Sequence, residues 1–392
     1  MHASLPKQLP TPSPDAQAAS LALSRCIAAA IRTAGGWLPF VDYMEMALHL
    51  PGLGYYAGGS HKFGDAGSGG DFITAPELTP LFGQALAQQV VQVLAATQTR
   101  TVLEVGAGSG RLAADLLLAL EALGAFPERY EILELSGELR ARQRQMIERQ
   151  APHLLPRVHW LDEMPTRFSG CVVANELLDA MPTHAVAWRE GGLFERGVVL
   201  ENDGFAWAER PASGTLATAM SRLPIDVRPY CGEVGLAVRS WIGEWGHRLE
   251  RGVLLLLDYG LPRHELYHPQ RNQGTLRCHY RQRAHDNPFW WPGLSDITSH
   301  IDFTAVAEAG YDGGLDVLGY TNQASFLINC GIGELLAARQ QGGGEQALRA
   351  NGAVQTLLAP GEMGELFKVV ALGRGVTTPL LGFARGDRRH AL

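Results

Sequence analysis

The stretch VLEVGAGSGRL at residues 102–112 constrains the fold of this chain more than any other feature. An apolar run leads into closely spaced glycines and then into a segment with helical periodicity. This order predicts a β-strand, a tight turn and the first turn of a helix. Backbone N–H groups at such a turn often bind a nucleotide, so the sequence first raises the question of which nucleotide this is.

Strands and helical segments alternate along the chain on both sides of this turn. The strand candidates are residues 101–105, 131–135, 158–161, 171–174 and 253–258. Such alternation predicts an α/β fold of the Rossmann-like type, in which a mostly parallel twisted sheet carries helices on both faces.

The remaining segments are expected to surround or interrupt this core. In chain order they are a disordered tail (1–20), a helical and glycine-rich cap or lid (21–80), the first part of the core (81–184), an antiparallel insertion (185–230), the second part of the core (231–373), which contains a second insertion (261–299) that forms the substrate cleft, and a C-terminal tail (374–392).

Composition excludes several classes of protein. The chain has 392 residues, 46% of them hydrophobic, which is enough for a sizeable core. Its net charge of -7 argues against a general nucleic-acid binder. The five cysteines are scattered, which favours a reducing compartment. No apolar run reaches the roughly 18 residues of a membrane span, and the N-terminal residues lack an apolar signal core, so we expect a cytoplasmic protein without a membrane span.

A zinc-protease pattern, His-Glu-x-x-His, occurs at residues 264–268. That pattern binds zinc only on a helix, where both histidines share one face. Pro262 precedes the segment and Pro269 follows it, so a helix of several turns does not fit. We therefore expect no metal.

The glycine turn itself discriminates between nucleotides. A triphosphate loop requires lysine after its last glycine, whereas Arg111 follows Gly110 here. The spacing of Gly106, Gly108 and Gly110 also fits the dinucleotide pattern poorly. Glu104 precedes the turn by two residues, and its carboxylate suits the cationic groups of S-adenosylmethionine (SAM) better than a pyrophosphate. We predict that these glycines and Glu104 contact SAM, because a glycine backbone allows close approach.

Polar residues follow the next strands of the predicted sheet. Glu134 is placed to accept hydrogen bonds from both ribose hydroxyls, as it would be in an NAD enzyme as well. Asp162 is expected to accept from the adenine amino group. Asn175, at the end of the fourth strand, is counted with the cofactor contacts. The alternative for each acid is a solvated residue at a strand end.

Two carboxylates lie where a methyl acceptor is expected. Glu176 and Asp179 are three residues apart, a spacing that places both on one helical turn. The alternative is charge complementarity at a helix N-terminus. The Pro-Pro-aromatic motif of enzymes that methylate bases is absent at this strand end. Further along, His300 and Asp302 are either acid–base groups or structural residues at the start of a helix, which Asp296 or Thr298 would cap.

Several segments together resemble the MidA-like methyltransferases over residues 21–373. They are GLGYY (52–56), GDFITAPE (70–77), VLEVGAGSG (102–110), ANELLDAMP (174–182), DYG (258–260), GTL (274–276), DITSHIDF (296–303) and MGELFKV (363–369). The resemblance implies a class I methyltransferase fold and SAM as cofactor. Mitochondrial members of this family are protein arginine methyltransferases that assist assembly of respiratory complex I.

The resemblance also implies roles for individual residues. Thr74, Pro76 and Glu77 belong to a segment that lies close to the cofactor in the family. A guanidinium stays protonated and must be held in place to react, so Glu176, with Asp179 as second candidate, is expected to grip a substrate arginine.

The function predicted from the sequence is therefore SAM-dependent methylation of a protein arginine, with a subunit of respiratory complex I as the implied target. The alternatives are a methyltransferase for a small molecule or another side chain, a SAM-binding assembly chaperone with little catalysis, and, more distantly, an oxidoreductase. The acceptor, the degree of methylation and the oligomeric state stay open, with a homodimer among the options.

Overall fold

The computed structural model describes residues 9–58, 74–202, 204–340 and 344–392. The described chain divides into two compact units. The first unit contains residues 9–58, Leu178–Val238 and Arg263–Ile301, and the second contains residues 74–177, Arg239–Pro262 and the described part of Asp302–Leu392. Most of the glycine-rich part of the predicted lid, residues 59–73, lies outside the described residues.

The described helices are α1 (Pro14–Thr33), α2 (Phe40–His49), α3 (Ala75–Leu78), α4 (Pro80–Thr97), α5 (Arg111–Ala122), α6 (Gly137–Gln150), α7 (Gly214–Ser221), α8 (Leu236–Arg248), α9 (Arg263–Leu266), α10 (Phe303–Asp312), α11 (Gln323–Asn329), α12 (Ile332–Gln340), α13 (Gly344–Leu358) and α14 (Met363–Leu366). Short 3₁₀ turns occupy Pro152–Arg157, Pro269–Arg271, Leu381–Phe383 and Arg389–Ala391.

The strands are β1 (Leu38–Pro39), β2 (Thr101–Val105), β3 (Arg129–Leu133), β4 (Val158–Leu161), β5 (Phe168–Asn175), β6 (His184–Arg189), β7 (Gly192–Glu201), β8 (Gly204–Pro211), β9 (Tyr230–Val234), β10 (Leu249–Leu261), β11 (Arg277–Tyr280), β12 (Arg283–His285), β13 (Asp296–Thr298), β14 (Ile301–Asp302), β15 (Asp316–Asn322) and β16 (Phe367–Arg374).

A twisted sheet with strand order β15-β16-β10-β5-β2-β3-β4 forms the centre of the second unit. The five strands from β10 to β4 are parallel, whereas β16 runs antiparallel to both β10 and β15. Strands β2 and β5 are almost entirely buried, as expected for parallel strands covered on both faces. Helices α4 and α5 contribute many residues to the same apolar core. The mostly parallel α/β architecture predicted from the alternation is confirmed.

The first unit contains two smaller sheets. In one, β1, β7, β6 and β9 are neighbours in that order and β8 pairs with β7; in the other, β11 lies between β12 and β13. Helices α1 and α2 supply most of the apolar core, which includes Phe40 and Tyr43. The antiparallel hairpins expected between residues 185 and 230 are present as β6, β7 and β8.

Helix α1 begins at Pro14, inside the segment expected to be a disordered tail. The Ser13 hydroxyl accepts a hydrogen bond from the Ala16 N–H at 3.3 Å, and proline occupies the start of the helix. Asp15 adds an acidic side chain in the first turn. These three signals favour helix initiation, so the expectation of a tail up to residue 20 was wrong for residues 14–20.

Two other expected boundaries also differ from the structure. The sequence from Cys231 to Glu250 predicts a helix, but its first four residues belong to strand β9, which pairs with β6, for example Val234 with His184. The segment from 374 onward is packed into the second unit: Leu380 and Phe383 are buried, and the Arg388 backbone N–H donates to the Tyr320 carbonyl at 2.6 Å. Both segments are held by residues far away in sequence.

Within the described ranges, no helix combines the length and the apolar character that crossing a membrane requires.

Candidate functional site

The order in which the chain adds strands to the central sheet reverses between β2 and β5. From β2 the chain continues through β3 to β4 on one side, whereas β5 is followed by β10 on the other. Ligands of open α/β sheets bind at the carboxyl ends of the strands, at such a switch point. Gly106, Glu134, Asp162 and Glu176 each follow the carboxyl end of one of these parallel strands. The sheet thus brings most of the predicted site residues to one edge of the second unit.

The glycine turn after β2 requires glycine for reasons of conformation and packing. Gly106, Gly108 and Gly110 all have φ in the left-handed region, at 71°, 52° and 83°. A Cβ on Gly106 would lie 2.9 Å from Leu177 Cδ1, and one on Gly110 would lie 2.7 Å from the Gln143 Cα. The turn then leads into helix α5, whose N-cap is Gly110.

Glu104 lies within β2 and its side chain is buried, with a relative exposure of 2%. Its carboxylate accepts a hydrogen bond of 2.5 Å from the Tyr130 phenol on β3. Burial raises the pKa of Glu104 to about 7, and the bond from Tyr130 opposes this effect. Glu104 is therefore a buried acid that can gain or lose its proton near neutral pH.

Glu134 directly follows β3 and is also largely buried. Its Oε1 accepts from the Ser136 N–H at 2.9 Å, and its Oε2 accepts from the Gln143 amide at 3.0 Å. Burial raises its pKa, whereas these hydrogen bonds lower it. The carboxylate is held in one orientation at the edge of the sheet.

Asp162 is placed differently, because its side chain is 90% exposed. It forms an ion pair of 2.8 Å with Arg140 on α6. The Arg140 guanidinium also donates to the carbonyls of Glu134, at 2.6 Å, and Leu161, at 2.5 Å. Arg140 thereby joins the chain segments that follow β3 and β4.

Asn175 and Glu176 end β5 without starting a helix. Glu176 has φ 51°, a left-handed conformation that is uncommon for a residue with a side chain and is often found at functional sites. Its Oε1 accepts from the Asn175 amide at 3.1 Å and from the Ala75 N–H at 3.4 Å. The expected helical turn carrying Glu176 and Asp179 is absent, and the two residues belong to different units.

The segment at Thr74, Pro76 and Glu77 lies next to these groups in the second unit. Thr74 is the N-cap of α3, and Pro76 is buried in its first turn. The Ser109 hydroxyl of the glycine turn donates to Glu77 Oε1 and accepts from the Arg111 N–H at 3.2 Å. Glu77 therefore ties α3 to the glycine turn, as Glu176 ties it to the end of β5.

Asp179 and His300 lie in the first unit. Asp179 is buried. The pKa of Tyr56 lies well above its ordinary value because Tyr56 is buried and because the charges of Asp296 and, to a smaller extent, Asp179 are close to it. The Tyr56 hydroxyl donates to Asp296 at 2.8 Å. The His300 N–H donates to the Thr275 hydroxyl at 3.1 Å, which positions its backbone.

Asp302 caps helix α10. Its carboxylate accepts from the Ala305 N–H at 2.9 Å, and the helix begins at Phe303. Asp296, considered above as the cap of a helix in this region, is instead part of strand β13. Thr298, the other candidate cap, belongs to the same strand, so the helix starts later than the sequence suggested.

Comparison with known proteins identifies the family to which the chain belongs. The sequence model of a family of S-adenosyl-L-methionine-dependent methyltransferases matches residues 85–321. The chain belongs to this methyltransferase family. It is an enzyme of the SAM-dependent class, and SAM is its cofactor.

Relatives and solved structures agree with this assignment. The protein arginine methyltransferase NDUFAF7 of Danio rerio mitochondria is 30% identical over 86% of this chain and 83% of its own length. The Drosophila melanogaster homologue is 28% identical over 97% of this chain and 92% of its own length. A Burkholderia thailandensis protein bound to S-adenosyl-homocysteine is 51% identical, covers 98% of this chain and 100% of its own, and has a TM-score of 0.95.

The residues at the switch point fit this cofactor. Asn175 Oδ1 is buried and has no hydrogen-bond partner within the described ranges. Buried acceptors normally have a partner, so this atom suits a ligand that brings N–H donors, as the amino groups of SAM do. Glu104 adds an acid that suits a cationic ligand. The switch point thus offers acceptor atoms of the kind that the N–H donors of SAM require.

Sequence reasoning missed Tyr130, Arg140 and Gln143, which hold the predicted acids in place. Gln143 alone gave a readable signal. It lies between Leu139 and Ile147 at intervals of four residues, so it is a polar residue on the apolar stripe of α6.

Proposed function

We propose that this methyltransferase transfers the methyl group of SAM to a guanidinium nitrogen of an arginine in a protein. The observation that carries the proposal is that relatives aligned over most of the chain are named protein arginine methyltransferases. The target implied by the family resemblance is a subunit of respiratory complex I. A cytoplasmic location is part of the proposal, supported by five cysteines that are all free thiols.

We assign the cofactor contacts as follows. Glu134 accepts from the ribose hydroxyls and Asp162 from the adenine amino group, while Gly106, Gly108 and Gly110 form the wall beside the methionine part. Glu104 and Asn175 face its cationic end, and Thr74, Pro76 and Glu77 close the site from α3. The shared strand edge and the hydrogen bonds between these segments support this assignment.

Glu176 is the residue that we assign to the substrate arginine. When bound, SAM would supply a methyl group: its bond to sulfur would break as the bond to nitrogen forms, S-adenosylhomocysteine would leave, and the proton lost by the nitrogen would pass to solvent. A carboxylate that accepts from the other guanidinium nitrogens holds the plane of the group and draws positive charge away from the reacting nitrogen. Glu176 is held by Asn175 and Ala75 for this role. Asp179 and His300 are second candidates.

The proposal is tested by following methyl transfer from radiolabelled SAM to purified complex I subunits. Glu176→Gln keeps an oxygen that can accept from Asn175 and Ala75 but removes the charge. We expect it to lower kcat/KM about 100-fold or more, with S-adenosylhomocysteine affinity unchanged. Glu163→Gln, at an exposed glutamate after β4, is the matched control.

Two results would contradict the proposal. Full turnover of Glu176→Gln would show that another residue holds the arginine. Tight binding of S-adenosylhomocysteine without methylation of any arginine-containing substrate would instead support an assembly chaperone. Mass spectrometry of the product assigns the modified residue and distinguishes mono- from dimethylation.

A further inference from the structure

Helix α6 contains a buried amide in an otherwise charged sequence, GELRARQRQMIERQ. Its buried residues are Leu139, Gln143 and Ile147, and Gln143 has a relative exposure of 0%. A buried amide is unfavourable unless its donors and acceptor are all used. The contacts of Gln143 therefore show why glutamine occupies an apolar stripe.

All polar atoms of the Gln143 side chain have partners from three different segments. The amide nitrogen donates to the Gly108 carbonyl at 3.2 Å and to Glu134 Oε2 at 3.0 Å. The amide oxygen accepts from the Trp160 indole N–H at 2.9 Å. Two acceptors on one side and a donor on the other fix the orientation of the amide. No other uncharged side chain of this length supplies both functions.

We propose that Gln143 is a positioning residue for the cofactor, which fixes the Glu134 carboxylate and the glycine turn relative to each other. The inference rests on the proposed role of Glu134 in binding the ribose. Gln143 does not touch the cofactor in this proposal; it acts through Glu134 and through the Gly108 carbonyl.

The hydrogen-bonding capacity of the Glu134 carboxylate explains how Gln143 can position it for the ribose. An ionised carboxylate has about four acceptor sites. The Ser136 N–H uses one on Oε1 and Gln143 uses one on Oε2, and the Leu135 N–H also acts on the carboxylate, which leaves acceptor capacity for the ribose. Gln143 also stabilises the ionised form of a buried acid, the form that accepts from both hydroxyls.

The glycine turn adds a second constraint. The Gln143 Cα lies 2.7 Å from the position that a Cβ on Gly110 would occupy, so the helix backbone packs directly on the turn. The bond from the Gln143 amide to Gly108 then fixes the turn within the same contact. One residue thereby links the proposed ribose contact to the turn beside the methionine part.

The test measures binding of S-adenosylhomocysteine and of its 2′,3′-dideoxyribose analogue by isothermal titration calorimetry. The variants are Gln143→Met, which keeps the length of the side chain but not its hydrogen bonds, and Gln145→Met at an exposed position of the same helix. For the wild type and Gln145→Met we expect a clear preference for the ribose ligand. For Gln143→Met we expect about tenfold weaker binding of that ligand and most of the preference lost.

The ratio of the two affinities separates positioning from general destabilisation, which would weaken both ligands equally. An unchanged ratio in Gln143→Met would overturn the inference. If that variant does not fold, Gln143→Glu is used, whose new carboxyl can donate to Glu134 only when protonated. Its preference for the ribose ligand should recover as the pH is lowered from 8 to 6, and a preference that is independent of pH would also overturn the inference.

Glu134→Gln, measured in parallel, distinguishes failure of the inference from failure of the assigned site. If Glu134→Gln retains the full preference for the ribose ligand, the assignment of Glu134 is wrong and the role of Gln143 falls with it. If Glu134→Gln loses the preference while Gln143→Met keeps it, the ribose assignment stands and the role of Gln143 alone is rejected.

Discussion

Replacing Glu104 by glutamine should remove a pH dependence from the stability of the second unit. Glu104 is buried in β2, and burial raises its pKa from an ordinary value of 4.5 to about 7. In the folded protein the carboxyl group thus keeps its proton up to neutral pH, whereas in the unfolded chain it loses the proton near pH 4.5. Protons bind more strongly to the folded state in this window.

The sign and size of the effect follow from this difference. Below pH 4.5 both states are protonated and the acid has no effect on the free energy of unfolding. Between pH 4.5 and about 7 the unfolded state ionises first, so stability falls as the pH rises. At about 1.4 kcal/mol for each pH unit, the loss amounts to about 3 kcal/mol and is complete above pH 7.

Urea unfolding at pH 4.5, 5.5, 6.5 and 8 measures this loss. Relative to Glu104→Gln, the wild type should become less stable by about 3 kcal/mol across the series. Glu148→Gln, at an exposed position of α6, is the control and should differ from the wild type by a constant amount. If the wild type and Glu104→Gln respond to pH in parallel, Glu104 does not titrate as its burial implies, and the reasoning is refuted.

Two further predictions test the glycine turn and the core. Gly110→Ala should lower the free energy of unfolding by about 1–3 kcal/mol more than Gly124→Ala does, and it should also weaken binding of S-adenosylhomocysteine. The reason is that a Cβ at Gly110 meets Gln143, whereas the control Gly124, with φ 67°, has no atom within 4 Å of its Cβ position. Equal losses in the two variants, measured by urea unfolding and calorimetry, would contradict this prediction. Iodoacetamide at pH 8 should label the exposed Cys26 in the folded protein, and it should label the buried Cys171 only after urea is added, because burial raises the pKa of Cys171 to about 12. Labelling of Cys171 before urea is added, detected by mass spectrometry, would disprove this prediction.

The sequence predicted those parts of the fold whose signals are local. The bounds expected for β2 and β4 match the structure, because each strand is a short apolar run between clear turn signals. The second unit's sheet and its cofactor class followed from such runs and from the glycine turn between β2 and α5. Strand ends are also where α/β proteins place their ligands, so Glu134 and Asp162 could be predicted as site residues without knowledge of any contact.

Contacts between distant residues were not predictable in the same way. Strand β9 pairs with β6, although four of its five residues, 231–234, were expected to be helical, since so short a run has no reliable period. Phe383 packs against Phe326, although residues 374–392 were expected to be a C-terminal tail outside the core. Glu176 adopts a left-handed conformation that no neighbouring residue type indicates. In each case a tertiary contact overrides the local preference.

The same distinction explains why the cofactor is better determined than the methyl acceptor. The proposed cofactor residues Gly106, Glu134, Asp162 and Asn175 lie at the carboxyl ends of four neighbouring parallel strands, so recognising the strands is enough to bring them to one edge of the sheet. Asp179 and His300, the residues of the first unit that are candidates for binding the methyl acceptor, lie in a unit held together by pairs such as Tyr56 and Asp296, which are 240 residues apart. Asp179 lies three residues after Glu176, yet it belongs to the unit built from those distant segments. Spacing along the chain therefore says little about which carboxylates contact the methyl acceptor, and substitution of Asp179 in the first unit, with the cofactor residues left intact, tests whether that carboxylate takes part in acceptor binding.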